Sequence, residues 1–323
     1  MFSQRQQIIE YIEKGSIPQD KIREALVTVK ITPDDHDWKH FVDSMLLWLG
    51  GLALSFSVLF FIAYNWNEMG RFAKFAMVEG VMILAIIAYW RLGSNSMAGK
   101  VSLVAATLFL GVLLGLYGQT YQTGADPWQL FFNWALLMLP WALVGRFAAL
   151  WVIWIILMNI SIILYYTVFR GVFGFMFNSE TELFWLIFIF NTFALILWEL
   201  LSIKWHWLDK AWAIRLLAFV SGLSVTSLVL NSIFSTAGFA SLSTLVWIFW
   251  MGILFYAYRI LKHDLFMLAG FCFSGIVVLV SFLGKQMLRN GDAGAFLLLA
   301  LIVIGLGAGS AIWLRNIHRE WQS

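Results

Sequence analysis

Ten long apolar runs, separated by short segments that hold most of the charge, set the terms on which this chain can fold. Each run is near the roughly 20 residues that a helix needs to cross a hydrocarbon core of about 30 Å. They lie near 44–64, 73–90, 101–121, 128–145, 148–168, 182–201, 212–231, 240–260, 265–284 and 295–314. Of the 323 residues, 61% are hydrophobic and 12% charged, against about 25% charged in a soluble domain. Charge this sparse cannot coat a soluble fold, so the solvent for most of the surface is lipid. The chain therefore reads as all-α: a polytopic transmembrane bundle of about ten spans at 44–314, with a small polar helical segment at 1–43 and a tail at 315–323. The separation of the fourth span from the fifth rests only on Gly145 and Arg146.

Cation placement supplies an independent check, because Lys and Arg are retained on the cytoplasmic side during insertion. Ten spans with the N-terminus inside put sixteen of the twenty-one basic residues in cytoplasmic positions, leaving only Arg71, Lys74, Arg170, Lys285 and Arg289 outside. Both termini are thus expected in the cytoplasm. Several of the eighteen tryptophans, among them Trp66, Trp90, Trp128, Trp205 and Trp313, fall near span ends, where an amphipathic ring suits the headgroup layer.

The first 43 residues hold 14 charges and no run apolar enough for a signal peptide. They read as one short helix over Ser3–Lys14, stopped by Gly15, and a second opened by Pro18. Thr32, Pro33, Asp34 and Asp35 then mark a helix start, a capping hydroxyl followed by proline and acids, and that helix is expected to run straight into the membrane. Cys272 is the single cysteine, which excludes an internal disulfide and a cysteine-only metal site. No basic block suggests nucleic acid.

The stretch Tyr117–Pro140, YGQTYQTGADPWQLFFNWALLMLP, together with Tyr64-Asn65-Trp66-Asn67 and the polar N-terminal segment, resembles a family of bacterial predicted membrane proteins, domain of unknown function 2157. The resemblance covers roughly the first 150 residues. It implies a bacterial inner membrane and brings no catalytic residue.

Chemistry must therefore be sought residue by residue. Glu79 is the one acid well inside a span, and an ionisable group at that depth marks an ion, proton or substrate path by default; its structural alternative is a carboxyl that fixes packing, through Lys74 or Arg71. Gln119, Tyr121 and Gln122 close the third span on the same expected side, so that Glu79, Lys74, Gln119, Tyr121, Gln122 and Asn133 form a candidate substrate or ion path. Asp126, before Pro127 and three residues ahead of Gln129, fits a capping box better than a binding role. Gly111, Gly115 and Gly118 in the third span, and Gly305 and Gly309 in the tenth, suit close helix packing. Pro140 is expected to kink the fourth span.

All five histidines fall outside the apolar runs, which argues against haem held between spans. His36 and His40, four apart among acids, are better read as a wet juxtamembrane face than as a metal site. No zinc-protease, phosphate-loop or nucleophile-elbow motif occurs, so no cofactor, metal or catalytic residue is assigned. Two functions remain: a small-solute or ion transporter using Glu79 and the polar cluster, or a non-catalytic scaffold or assembly subunit of a cell-envelope complex with a membrane or envelope protein as partner. An intramembrane enzyme would need a second acid or base beside Glu79.

Overall fold

The structure, a computed structural model, describes residues 11–12, 14–22, 26, 34–65, 67–169, 180–235, 239, 241–287 and 293–322. The described residues form ten long helices and no strand: α1 Asp35–Tyr64, α2 Arg71–Leu92, α3 Met97–Tyr121, α4 Pro127–Gly145, α5 Ala148–Phe169, α6 Glu180–Lys204, α7 Ala211–Phe234, α8 Leu242–Tyr256, α9 Leu265–Met287 and α10 Ala293–Gln322. A π-helical turn, Ala257–Leu261, continues α8. All ten are long and apolar enough to cross a membrane.

The expected helices over Ser3–Lys14 and after Pro18 lie largely outside the described residues. Gly15 does sit in the left-handed region at φ +68°, and the Ser16 N–H reaches back to the Tyr11 carbonyl at 2.9 Å, a helix-stopping turn. Thr32 and Pro33 also lie outside the described residues, and the cap of α1 is Asp34. Its carboxylate accepts the Asp37 N–H at 2.7 Å, while the Asp37 carboxylate accepts the Asp34 N–H at 3.3 Å. This reciprocal box starts α1 at Asp35, nine residues ahead of the apolar run, because its first turns are helical but polar.

The boundary between the fourth and fifth apolar runs falls where Gly145 and Arg146 suggested. Arg146 adopts φ +48° and stops α4, and α5 begins two residues later. Residues 127–169 thus make two helices of 19 and 22 residues rather than one broken span.

The chain divides into two compact units, one over residues 1–158 and the other over 159–321. In the first, α3 is the hub: α1, α2 and α4 each pack on it, and half of its most apolar window is buried, against 11% for α1 and α2. Composition explains the choice. Gly99, Ala106, Thr107 and Gly111 are buried along α3, and small residues let neighbouring backbones approach where lipid offers no hydrophobic drive for association. Gly111 lies directly against the Trp134 indole of α4, leaving no room for a Cβ. Trp134 Nε1–H in turn donates to the Thr107 carbonyl at 2.8 Å. The core around Leu103, Leu110, Met138 and Leu150 forms around this contact.

The second unit repeats the scheme with α7 as hub, 56% buried over its window and packed by α6, α8 and α9. Its buried face again carries small and polar residues, Ala213, Ala218, Ser221, Ser224, Thr226 and Ser232, between larger aliphatics such as Leu217 and Leu228. Gly222 accepts the Trp250 indole of α8, whose edge would stand 2.9 Å from a Cβ there. Hydroxyls tie the neighbours to the hub. Thr192 of α6 meets Ser221 at 2.5 Å, and Thr226 meets Ser274 of α9 at 2.7 Å. The Trp247 indole of α8 donates to the same Ser274 hydroxyl at 2.9 Å. Ser224 and Thr226 also bond back to carbonyls four residues earlier, so that hydroxyls at this depth are satisfied.

Candidate functional site

Most of the sequence-derived candidates lie toward one end of the first unit, where α2 begins, α3 ends and α4 begins. Lys74 is buried on the face of α2 that also buries Val78. Beside it, the Phe75 ring lies 6.1 Å from Tyr121, which in turn packs 5.0 Å from Tyr117. This aromatic contact joins the start of α2 to the end of α3. Gln122 closes α3 in the left-handed region at φ +45° and is exposed. Asn133 is also exposed. Asp126 occupies the N-cap position of α4 with Pro127 following, but its side chain makes no capping hydrogen bond. The expected capping box with Gln129 is reduced to a backbone bond, the Gln129 N–H to the Asp126 carbonyl at 3.0 Å.

Gln119, exposed like Tyr121 and Gln122, also reaches a cavity of about 370 Å³ between α1, α3 and α4, with Ser55, Ile62, Gly115 and Trp134 among its neighbours. The Ser55 hydroxyl is spent on the Gly51 carbonyl at 2.8 Å, and the Trp134 indole on Thr107. The remaining wall is mostly apolar, which makes the Gln119 amide the principal polar group facing the space. Neither Glu79 nor Gln122 lines it.

Glu79 lies elsewhere. Phe72, Ala76, Glu79, Ile83, Ile86 and Trp90 are all exposed, and their spacing of four, three, four, three and four places them on one stripe of α2. Val78, buried against α3, lies on another face. Glu79 stands eight residues into the helix, about 12 Å along its axis at 1.5 Å per residue. It forms no hydrogen bond or ion pair with any described residue. An ionised acid near the middle of a span costs about 2.5–3.5 kcal/mol on insertion scales, so this carboxyl calls for a partner. The structure therefore brings Lys74, Tyr121 and Gln122 to one end, puts Gln119 in an apolar cavity, and turns Glu79 to the outside.

The densest polar cluster was missed in the sequence. At the end of the second unit where α6, α8 and α10 finish and α7 and α9 begin, Glu199 of α6 accepts the Tyr258 hydroxyl at 2.7 Å and pairs with Lys262. Arg215 of α7 pairs with Asp264 at 3.0 Å, and Asp264 also caps α9 by accepting the Phe266 N–H at 2.9 Å. Arg259 pairs with Glu320 of α10 and lies over the Trp321 ring. Three ion pairs thus join five helices, and the π-helical turn supplies Tyr258 and Arg259. Deeper in the unit, Asn159 of α5 and Asn191 of α6 exchange amide bonds at 3.1 and 2.6 Å. The sequence signal was present in each case, isolated amides in apolar runs and charges just past span ends, but pairings across 32 to 63 positions are not readable from spacing.

At the start of α1, ligand atoms of Asp34, His36 and Asp37 lie within 4.8 Å of one another. The capping box accounts for both acids. His40 instead faces the Ser44 hydroxyl at 3.5 Å.

Ten helices of this length and composition, packed on small-residue hubs, define a polytopic helical membrane protein. Residues 3–151 match the model of a family described as predicted membrane protein (DUF2157), the family that the Tyr117–Pro140 motif resembles. The match ends inside α5. No curated protein and no solved structure matches the chain.

Proposed function

We propose that the chain is a non-catalytic scaffold or assembly subunit of a membrane complex, placed in a bacterial inner membrane with both termini in the cytoplasm. The observation that supports this reading is α10. None of its most apolar window is buried, and nothing stands within 4 Å of where a Cβ would lie on Gly305, Gly307 or Gly309. It is held to its unit mainly near its C-terminal end, by the Arg259–Glu320 pair, the stacking of Trp313 on Phe255, the Trp321 ring against His263 and the buried Ile317. Gly305 and Gly309 line a gap toward Phe271 and Cys272 of α9 rather than a filled contact, and small residues of this kind favour close helix approach.

The transporter reading keeps one observation, Gln119 facing a cavity. It lacks a polar lining shared with Glu79, which does not line that cavity. A photo-reactive residue at Ile304, 67% exposed on α10, tests the scaffold reading. Crosslinking to a defined second protein, and loss of that protein's co-purification when 1–43 are deleted, supports it. Crosslinking to lipid alone from a full-length protein that purifies without a partner refutes it. Flux in proteoliposomes that Glu79→Gln abolishes, with folding intact, would favour transport instead.

A further inference from the structure

The outward stripe of α2 combines three properties not found together on another described helix. Its residues Phe72, Ala76, Glu79, Ile83, Ile86 and Trp90 are exposed and repeat with the four-three spacing of a left-handed helix pair. Ala76 and Gly80 form a small-residue pair four apart, and nothing stands within 4 Å of a Cβ built on Gly80. In the middle of the stripe sits a carboxyl that no described residue partners.

We infer that this stripe is the interface of a symmetric dimer, and that what covers Glu79 is Glu79 of a second copy of this chain. Copies inserted with the same topology meet about a two-fold axis along the membrane normal, which brings parallel helices together with each seam residue opposite itself at the same depth. Few buried polar groups suit that arrangement, and a protonated carboxyl is one of them. Each acid donates its O–H to an oxygen of the other, so both are satisfied with no charge in the hydrocarbon. The same position explains why the side chain is polar. In helix pairs a single polar seam residue fixes register and partner number at some cost in stability, and here Ala76 and Gly80 let the backbones come near enough for two short side chains to meet. The cations closest in sequence serve other contacts: Lys74 is buried on the opposite face, and the Arg71 guanidinium lies over the Phe72 ring.

The inference stands apart from the scaffold reading, since it concerns α2 and a second copy rather than α10 and a foreign protein. A dimer with no other partner would leave it intact while removing the scaffold. In a Cys272→Ser background, single cysteines at Ala76 and Ile83 should oxidise to disulfide-linked dimers in native membranes. A cysteine at Leu84, exposed but one step round the helix, should crosslink at least tenfold less. In nanodiscs, Glu79→Gln, whose amide can also pair with itself, should keep the dimer, and Glu79→Leu should weaken it at least tenfold. A seam cysteine that links no faster than Leu84, a dimer indifferent to Glu79→Leu, or seam crosslinks to a different protein would each overturn the proposal. The disulfide scan needs no change at Glu79 and so decides the matter even where Glu79→Leu fails to fold.

Discussion

Replacing Asn191 by Leu, alone and together with Asn159, measures how much of the second unit is held by polar contacts at bilayer depth. The Asn191 side chain is 1% exposed. It donates to the Asn159 carbonyl oxygen at 2.6 Å and to the Ile187 carbonyl at 2.8 Å, and accepts from the Asn159 amide at 3.1 Å. Asn191→Leu keeps the branched heavy-atom shape and removes both bonds between α5 and α6. Interhelical hydrogen bonds in membranes average about 0.6 kcal/mol and reach about 1.7 kcal/mol, so the pair is worth about 1.2 kcal/mol and at most about 3.4 kcal/mol. Each single variant should therefore lose about 1.2–3.4 kcal/mol. In Asn159→Leu/Asn191→Leu the same two bonds are lost and no amide is left behind, so the double variant should be at least as stable as the better single one. Unfolding the four proteins by steric trapping in bicelles gives the coupling directly, with at least about 1 kcal/mol expected. Additivity within about 0.3–0.5 kcal/mol, the behaviour of independent sites, would refute the claim that these amides hold α5 to α6.

Gly111→Leu should lower stability by about 1–3 kcal/mol, the cost of overpacking a filled contact, because its side chain would enter the Trp134 ring; Gly115→Ala, which faces open space, should change the melting temperature little. Gln122→Gly should raise stability by about 1 kcal/mol by relieving the left-handed backbone at φ +45°, and should leave any activity unchanged if Gln122 serves only to end α3. Lys262→Ala leaves the Glu199 carboxylate without its ion pair and should loosen the end of the second unit, read as faster proteolysis after Arg259 and a lower melting temperature; an unchanged profile would reduce that ion pair to a surface contact.

How far the sequence reaches differs from element to element. Apolar length alone located all ten helices, because in lipid a backbone must satisfy its own hydrogen bonds and the helix is the way a lone segment does so. It understated α1 and α10 for one reason: the first turns of α1, around Asp35, His36 and Asp37, and the last turns of α10, from Arg315 to Gln322, are helical but polar, and a hydropathy count stops where polarity begins. The site was less legible. In a soluble helix the polar stripe marks the outside, but α2 is apolar on every side except at Lys74 and Glu79, so periodicity could not say which of its faces meets α3. Glu79 was conspicuous by chemistry while its direction was not. Asn159 and Asn191 were equally visible as lone amides, yet their meaning depends on the pairing of α5 with α6.

All of this rests on ten helices crossing a membrane with their ends alternating between its two sides. Single cysteines at Ser94 and Thr123, both exposed and at opposite ends of α3, test it in a Cys272→Ser background with a membrane-impermeant maleimide. Ser94 should be labelled only from the cytoplasmic side of the membrane and Thr123 only from the other. Labelling of both from one side would contradict the account.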